Sequence, residues 1–332
     1  MTSAGWTLVV KEEAMKGTRR RILAAAVIVL VVGGAVAIFG VNSFGPVNSN
    51  IRQLGNPDKR VQERAVNALV KMGQSAVPAL AEALQDKERE VRGAGVVALW
   101  QIGEPAVPAL IQALQDKEPG IRGAAAGALG RIGPKAQAAA PALVEALKDK
   151  EPKVREMAFK ALGGIGPKAE AAAPALAEAL QDKEPYVRQG AAEALVKIGP
   201  KAQAAVPALA EALQDKEPGV RRNAAEALGK IGPKAEAAIP ALIEALKDKE
   251  QEVRGAAAKA LVQIGLPAVP ALVKALKDKE PGVRRSAAEA LGAMGLEAKD
   301  AVPALAEARR KDDVDAVRKA AGEALQRIQD AQ

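Results

Sequence analysis

The chain of 332 residues has no cysteine and no histidine. These absences exclude disulfides and thiolate chemistry, and they remove the commonest metal ligand and the commonest general base at neutral pH. Aromatic residues make up only 2% of the chain against 49% for hydrophobic residues as a whole. A core must therefore be built from Ala, Leu, Val and Ile, whose small side chains suit close helix stacking. Catalysis would have to rest on carboxylates, lysine or the single tyrosine, Tyr186. The sequence reads as a non-enzyme, with no cofactor, no metal and no small-molecule substrate expected.

What the chain does have is a repeat. Val91-Arg92, Ile121-Arg122, Val154-Arg155, Val187-Arg188, Val220-Arg221, Val253-Arg254, Val283-Arg284 and Val317-Arg318 recur behind a defective first copy at Val61, in steps of 30, 30, 33, 33, 33, 33, 30 and 34 residues. A fixed period in this range is the signature of stacked helical hairpins. Function is then to be sought on a surface and not in a pocket.

Punctuation within each repeat predicts two antiparallel helices. A first helix opens at a proline (Pro78, Pro108, Pro141, Pro174, Pro207, Pro240, Pro270, Pro303) and closes at Leu-(Gln/Lys)-Asp-Lys. Proline in the first helical turn costs no hydrogen bond. In most repeats a Glu-Pro step then starts a second helix, as at Pro119, Pro152, Pro185, Pro218 and Pro281. That helix runs to a glycine (Gly73, Gly103, Gly133, Gly166, Gly199, Gly232, Gly265, Gly295) suited to a left-handed cap. Apolar residues at three- and four-residue intervals, such as Val91, Gly95, Ala98, Leu99 and Ile102, fit helices and not strands.

The first 50 residues are different. Residues 22–39 form an uncharged run of 18, preceded by five cations (Lys11, Lys16, Arg19, Arg20, Arg21), whereas residues 40–56 carry only Arg52. The length is close to the roughly 20 residues that span a bilayer, and the charge imbalance keeps the N-terminus inside and sends the repeats out. The expected organisation is a cytoplasmic basic segment 1–21, a transmembrane signal anchor 22–41, a linker 42–50 and an all-α solenoid 51–330, a membrane protein with extracytoplasmic repeats. A cleaved signal ending at Ala35-Val36-Ala37 is the alternative, leaving the repeats secreted or periplasmic. A buried core helix is a third reading. Met15, followed by Lys-Gly-Thr-Arg-Arg-Arg, looks like an alternative start to Met1.

The unit V-P-A-L-x-x-A-L-(Q/K)-D-K-E-P-x-V-R-x-x-A-x-x-A-L-x-x-I-G, from Ile51 to about Ile328, resembles the HEAT-repeat family, in particular its phycobilisome-lyase-type branch. The resemblance implies an α-solenoid of about nine HEAT-like hairpins, the first partial. It also implies a hydrogen-bonded ladder along the turns, built from Asp86/Arg92, Asp116/Arg122, Asp149/Arg155, Asp182/Arg188, Asp215/Arg221, Asp248/Arg254, Asp278/Arg284 and Asp312/Arg318, in each of which the Asp stands six residues before the Arg. A periodic set of charges reads as structural, because catalytic sites are singular. In the first repeat Asn56 and Gln62 replace the pair, and its first helix is reduced to residues 49–54, as befits a cap. The Gly-Pro-Lys steps, such as Gly133-Pro134-Lys135, lack the spacing of a phosphate loop.

The net charge is +8, of which residues 1–50 hold +3. Pairs such as Arg222/Glu226, Arg285/Glu289 and Lys319/Glu323 read as solvated surface, so no nucleic acid is expected. A nucleic-acid-binding HEAT-like protein in the cytoplasm and, by resemblance, a phycobilin-lyase-like activity are the alternatives. The expected partner is another protein or an extended peptide on the concave face lined by the second helices. Positions turned from the Val91/Ala98/Ile102 side should face it: Val66, Val70, Val96, Val97, Trp100 and Phe159, with Tyr186 as a rim residue. Large residues there around Gly123, Ala126, Gly127 and Gly130 predict a shallow apolar trough. The alternative is that Val96 and Phe159 pack against a neighbouring second helix and only Trp100 is exposed.

Overall fold

Proline and glycine set the helix boundaries where the sequence places them. A computed structural model describes the backbone of residues 27–32 and 35–40 and the whole of residues 45–331. Residues 45–331 form nine helical hairpins. The short first helices are α1 (Gly45–Gln53), α3 (Val77–Ala83), α5 (Val107–Ala113), α7 (Ala140–Ala146), α9 (Ala173–Ala179), α11 (Val206–Ala212), α13 (Ile239–Ala245), α15 (Val269–Ala275) and α17 (Val302–Lys311). The long second helices are α2 (Lys59–Met72), α4 (Arg89–Ile102), α6 (Pro119–Ile132), α8 (Pro152–Ile165), α10 (Pro185–Ile198), α12 (Pro218–Ile231), α14 (Gln251–Ile264), α16 (Pro281–Met294) and α18 (Asp315–Asp330). A 3-10 segment joins each long helix to the next short one, lengthening from three or four residues at Gly73–Ala76, Glu104–Ala106 and Leu266–Ala268 to seven at Gly133–Ala139. That insertion accounts for the difference between 30- and 33-residue repeats.

Each hairpin buries leucines from both helices, for example Leu110 with Leu129 and Leu143 with Leu162, all without exposed surface. Each such side chain contributes roughly 1.5–3 kcal/mol by leaving water. No hairpin completes its core alone, and the core cluster runs unbroken from Val47 to Ile328.

Two details depart from the sequence reading. The closing glycines have positive φ but not the left-handed helical geometry: Gly133 lies at φ 72°, ψ −141°, a region essentially closed to residues with a Cβ. The first short helix is not reduced to residues 49–54. It begins at Gly45, inside the expected linker, with Pro46 in its first turn, where proline is pre-set for a helix start.

The Arg/Asp ladder exists, and its rungs run between repeats. Arg122 donates from Nε and Nη2 to Asp149 (2.6 and 2.8 Å), 27 residues on, while its Nη1 donates to the carbonyls of Asp116 and Lys117. Arg188–Asp215, Arg221–Asp248 and Arg284–Asp312 repeat this bidentate geometry. Arg92 Nε stands 2.8 Å from Asp116 as an ion pair, without the alignment of a hydrogen bond. Each Asp also accepts the N–H of the residue two places on, as Asp149 does from Glu151, which holds the turn that starts the next long helix.

The position six residues before the Arg supplies a backbone carbonyl, not a carboxylate. The hydrogen bond from Arg122 holds Asp149 below the usual carboxylate range against the opposing effect of burial. In Asp215 the largest influence is burial, which pushes the carboxyl up. The Arg188 and Glu217 donors outweigh it, so the net direction is again down.

Not every expected member joins a rung. Gln62 stands at the Arg position of the cap and its amide donates to the Leu54 carbonyl, while Asp86 accepts the N–H of Glu88. Arg318, in the last repeat, pairs with Asp315. Arg155 meets Tyr186 instead of Asp182. Asp278 is approached by Lys247 at 3.5 Å instead of by Arg254, and nothing in the structure explains that exception.

Of the expected transmembrane helix over residues 22–41, the described parts are two strands, β1 (Val27–Val32) and β2 (Ala35–Gly40), paired antiparallel from Val27↔Gly40 to Val32↔Ala35. The sequence offers a reason. The run is rich in β-branched Val and Ile, which fit the pleated surface of strands. The basic segment 1–21 and the rest of the expected anchor and linker, residues 22–26, 33–34 and 41–44, lie outside the described residues. Among the described residues no single helix is long and apolar enough to cross a membrane.

Candidate partner-binding face

A long helix in this stack has two packed sides. One lies on its own short helix, as Gly95 of α4 lies against Leu80 and Leu84. The other lies on the neighbouring long helices, and this second side buries positions expected to be open. Val96 and Phe159 are each only 2% exposed, and Val66 is buried too. Phe159 reaches into α10, where Gly190 makes room for it: a Cβ at Gly190 would stand 2.9 Å from the Phe159 ring. An apolar trough with Val66, Val96 and Phe159 as open walls is therefore not formed. The third repeat's floor is covered in part, because the Met157 side chain lies against Gly123 and Gly127.

An open groove of about 580 Å³ lies between α8 and α10. Phe159 and Gly190 lie at its base, and Lys153, Glu156, Lys160, Tyr186, Gln189, Glu193 and Lys197 line it. The charges are arranged and not random. Glu156 accepts from Lys160 (2.5 Å) and Lys153 (2.9 Å), and the two ammonium groups hold its carboxyl below the usual range. Gln189 donates to Glu193 at 3.0 Å. Tyr186, 37% exposed, stands at the rim. The Arg155 guanidinium lies 5.4 Å from the centre of its ring and donates to its hydroxyl. Such a surface offers stacking, hydrogen bonds and mixed charge to an extended chain. Among the described residues no cluster of three or more His, Cys, Asp or Glu is placed to hold a metal ion.

A HEAT-repeat family model matches residues 47–111, 77–151, 140–206, 174–261 and 239–326. The chain belongs to the HEAT-repeat family. No curated protein is similar enough to match it. Among solved structures it is similar to an engineered protein (24% identity, 85% of this chain and 88% of the other, TM-score 0.50). It is also similar to importin beta (16% identity, 86% of this chain, TM-score 0.55), of which it spans only 45%. Both likenesses concern the fold. The complex of CpcE and CpcF of phycocyanin lyase from Nostoc sp. PCC7120 is 28% identical over 67% of this chain and 94% of that one, with a TM-score of 0.42.

In this HEAT array the other expected surface residues lie nearer the N-terminal end. Val97 is 42% exposed and Val70 half-buried. Trp100 is half-buried, and Arg131 from the next repeat lies over its ring at 4.6 Å from the centroid. Trp100 and Val97 thus share a face with the α8/α10 groove but do not line it. Sequence reasoning missed Lys153 and Gln189 at the groove, and Arg155 against its rim residue Tyr186. It also missed Leu266 and Leu296, which are exposed in equivalent connections of adjacent HEAT repeats. The available signal was the pairing of exceptions: an outsized Phe159 in one repeat and a Gly190 in the next, where neighbouring repeats carry alanine or larger residues. Of the solvated pairs, Arg285–Glu289 and Lys319–Glu323 form as expected, whereas Arg222 reaches across to Glu252 of the next repeat.

Proposed function

We propose that this HEAT-repeat chain is a non-enzymatic scaffold that binds another protein, or an extended peptide from one, along the face of its long helices. The observation that carries the reading is the open groove between α8 and α10, which combines a buried aromatic base, an exposed tyrosine and paired charges. Family membership supports it, since HEAT solenoids generally present such faces to proteins, and curved stacks of this kind create extended binding surfaces.

The full-length chain, immobilised and exposed to a displayed library of random peptides, is expected to enrich sequences that compete with one another for one site. Gln189→Trp, which fills the groove from an exposed position, should weaken their binding by about tenfold or more, or roughly 1.4 kcal/mol. Failure to enrich any peptide, or binding indifferent to Gln189→Trp, would sink this reading.

The proposal extends to location. Five cations before the apolar run of residues 22–39 and only Arg52 over residues 40–56 support a cytoplasmic N-terminus with the repeats held outside. An open two-stranded pair such as β1–β2 leaves edge N–H and C=O groups that lipid cannot satisfy, so the run would be helical where it crosses a bilayer. A reporter fused after Gln332 is expected to be active only outside the cytoplasm. Cytoplasmic activity would overturn the location and favour the nucleic-acid alternative, while leaving the groove in place.

A further inference from the structure

We propose that Arg155 is a pre-oriented receptor for a carboxylate of the bound peptide, so that the α8/α10 groove selects segments carrying Asp or Glu beside an apolar residue. This rests on the scaffold reading and names the chemistry of its partner.

The argument comes from comparing Arg155 with its equivalents. In Arg122, Arg188, Arg221 and Arg284 one edge of the guanidinium is pinned by carbonyls five and six residues back. The other edge, Nε and Nη2, grips a carboxylate bidentately at 2.5–2.9 Å. Arg155 is pinned in the same way, by the carbonyls of Asp149 (2.6 Å) and Lys150 (3.2 Å). Its second edge meets no carboxylate among the described residues. It meets the hydroxyl of Tyr186.

Asp182, whose place in the repeat would make it the partner, is engaged by the N–H of Glu184 alone. Tyr186 stands where α6, α12 and α16 have Gly120, Gly219 and Gly282, and its hydroxyl takes the Nη2 donor that the other forks give to a carboxylate. The same pinned fork grips a carboxylate bidentately in four repeats, and in Arg155 it is turned to the hydroxyl of Tyr186 at the rim of the groove.

A phenol is a neutral acceptor. A carboxylate in its place makes charge-assisted, two-point hydrogen bonds that are roughly twice as strong, and ordering the fork costs little because its other edge is already fixed. The Tyr186 ring, released from its hydrogen bond, remains beside the guanidinium as a wall, and Phe159 with Gly190 lies below to receive a neighbouring apolar side chain. Lys153 lines the same groove, paired with Glu156. Arg254 also lacks a carboxylate partner among the described residues, but no aromatic residue accompanies it, whereas Arg155 touches Tyr186, which lines the groove.

The test uses the full-length chain and two pools of capped nonapeptides, random except for a fixed central Asp in one and Asn in the other, read by fluorescence polarisation. The Asp pool is expected to bind about tenfold more tightly. Arg155→Gln should abolish that preference, and Arg155→Lys, which keeps the charge but not the fork, should restore only part of it. Tyr186→Phe, which removes the competing hydroxyl and keeps the ring, should preserve or sharpen it. Thermal melts accompany each variant, so that lost binding by an unfolded protein is not mistaken for lost recognition.

Equal binding of both pools, blocked by Gln189→Trp, would overturn the carboxylate preference and leave the scaffold standing. A preference that survives Arg155→Gln in folded protein would overturn the role of Arg155. Binding of neither pool would overturn both readings. Tighter groove binding of a single-stranded oligonucleotide, also blocked by Gln189→Trp, would reassign the site to phosphate.

Discussion

Gly164→Ala is expected to be among the most damaging single-methyl changes in the solenoid. A Cβ there would press on the Gly130 backbone, 3.0 Å from its carbonyl carbon and 3.1 Å from its Cα. Backbone cannot swing aside as a side chain can, so α6 and α8 would have to separate. Overpacking of this kind costs about 1–3 kcal/mol and sometimes more, against a gain of roughly 0.5–1 kcal/mol from replacing a helical glycine. In a stack where repeats touch only their neighbours, a weakened interface divides cooperativity. The melt should therefore become biphasic, with the repeats before and after that interface unfolding apart. Gly255→Ala is the control. Nothing lies within 4 Å of its Cβ position on α14, so it should be neutral or slightly stabilising. A Gly164→Ala protein as stable as wild type in calorimetry would mean that the α6/α8 approach is looser than described.

The second large effect concerns the ladder. Asp215→Ala leaves the Arg188 guanidinium, 11% exposed as a side chain, without its carboxylate. Breaking one side of a largely buried pair costs about 3 kcal/mol. Asp182→Ala removes only the bond from the Glu184 N–H, a loss of about 1 kcal/mol. Urea unfolding of the two variants would distinguish them, and equal losses would contradict the rungs as assigned.

Acid provides an independent reading of the same pairs. Asp149, Asp215, Asp248 and Asp312 have folded pKa values below their ordinary ones, so the folded chain binds their protons less readily than the unfolded chain. The stability they contribute is fully present above the unfolded value of about 4 and is lost as pH falls through the folded values. Wild type should hold level from pH 7 to about 5 and weaken below about pH 4. The drop should be shallower in Asp215→Ala.

Much of this was legible in the sequence because helix ends are local events. Pro119 and Gly133 bound α6 without help from the rest of the chain, and the apolar spacing between them fixes which side meets the short helix. The direction of the rungs was not legible. A separation of six residues suggests an internal pair, but at that distance Arg122 finds the Asp116 carbonyl, while its carboxylate partner, Asp149, belongs to the next repeat. Periodicity likewise identifies one packed side of a helix, and the second side of α8 depends on how α10 is placed. Phe159 therefore had two readings, open or packed on the neighbouring long helix, and its burial against Gly190 decides for the second. The start of α1 was missed for another reason: Gly45 and Pro46 carry a loop signal and a helix-start signal at once, and only packing decides between them.

Because each Arg that forms a rung serves the repeat after it and its Asp the repeat before, one such unit is interchangeable with another. Excising a whole 33-residue period, or copying one in, rejoins an Arg of the same reach to an Asp of the same turn and leaves no pair stranded. The array can thus lengthen or shorten by gene duplication without repair elsewhere, and its reach along a partner becomes a quantity that evolution adjusts in steps of one hairpin. The Tyr186 exception marks one unit in that register as distinct, so that copies inserted on either side of it would shift where along the array a partner is held, not what holds it.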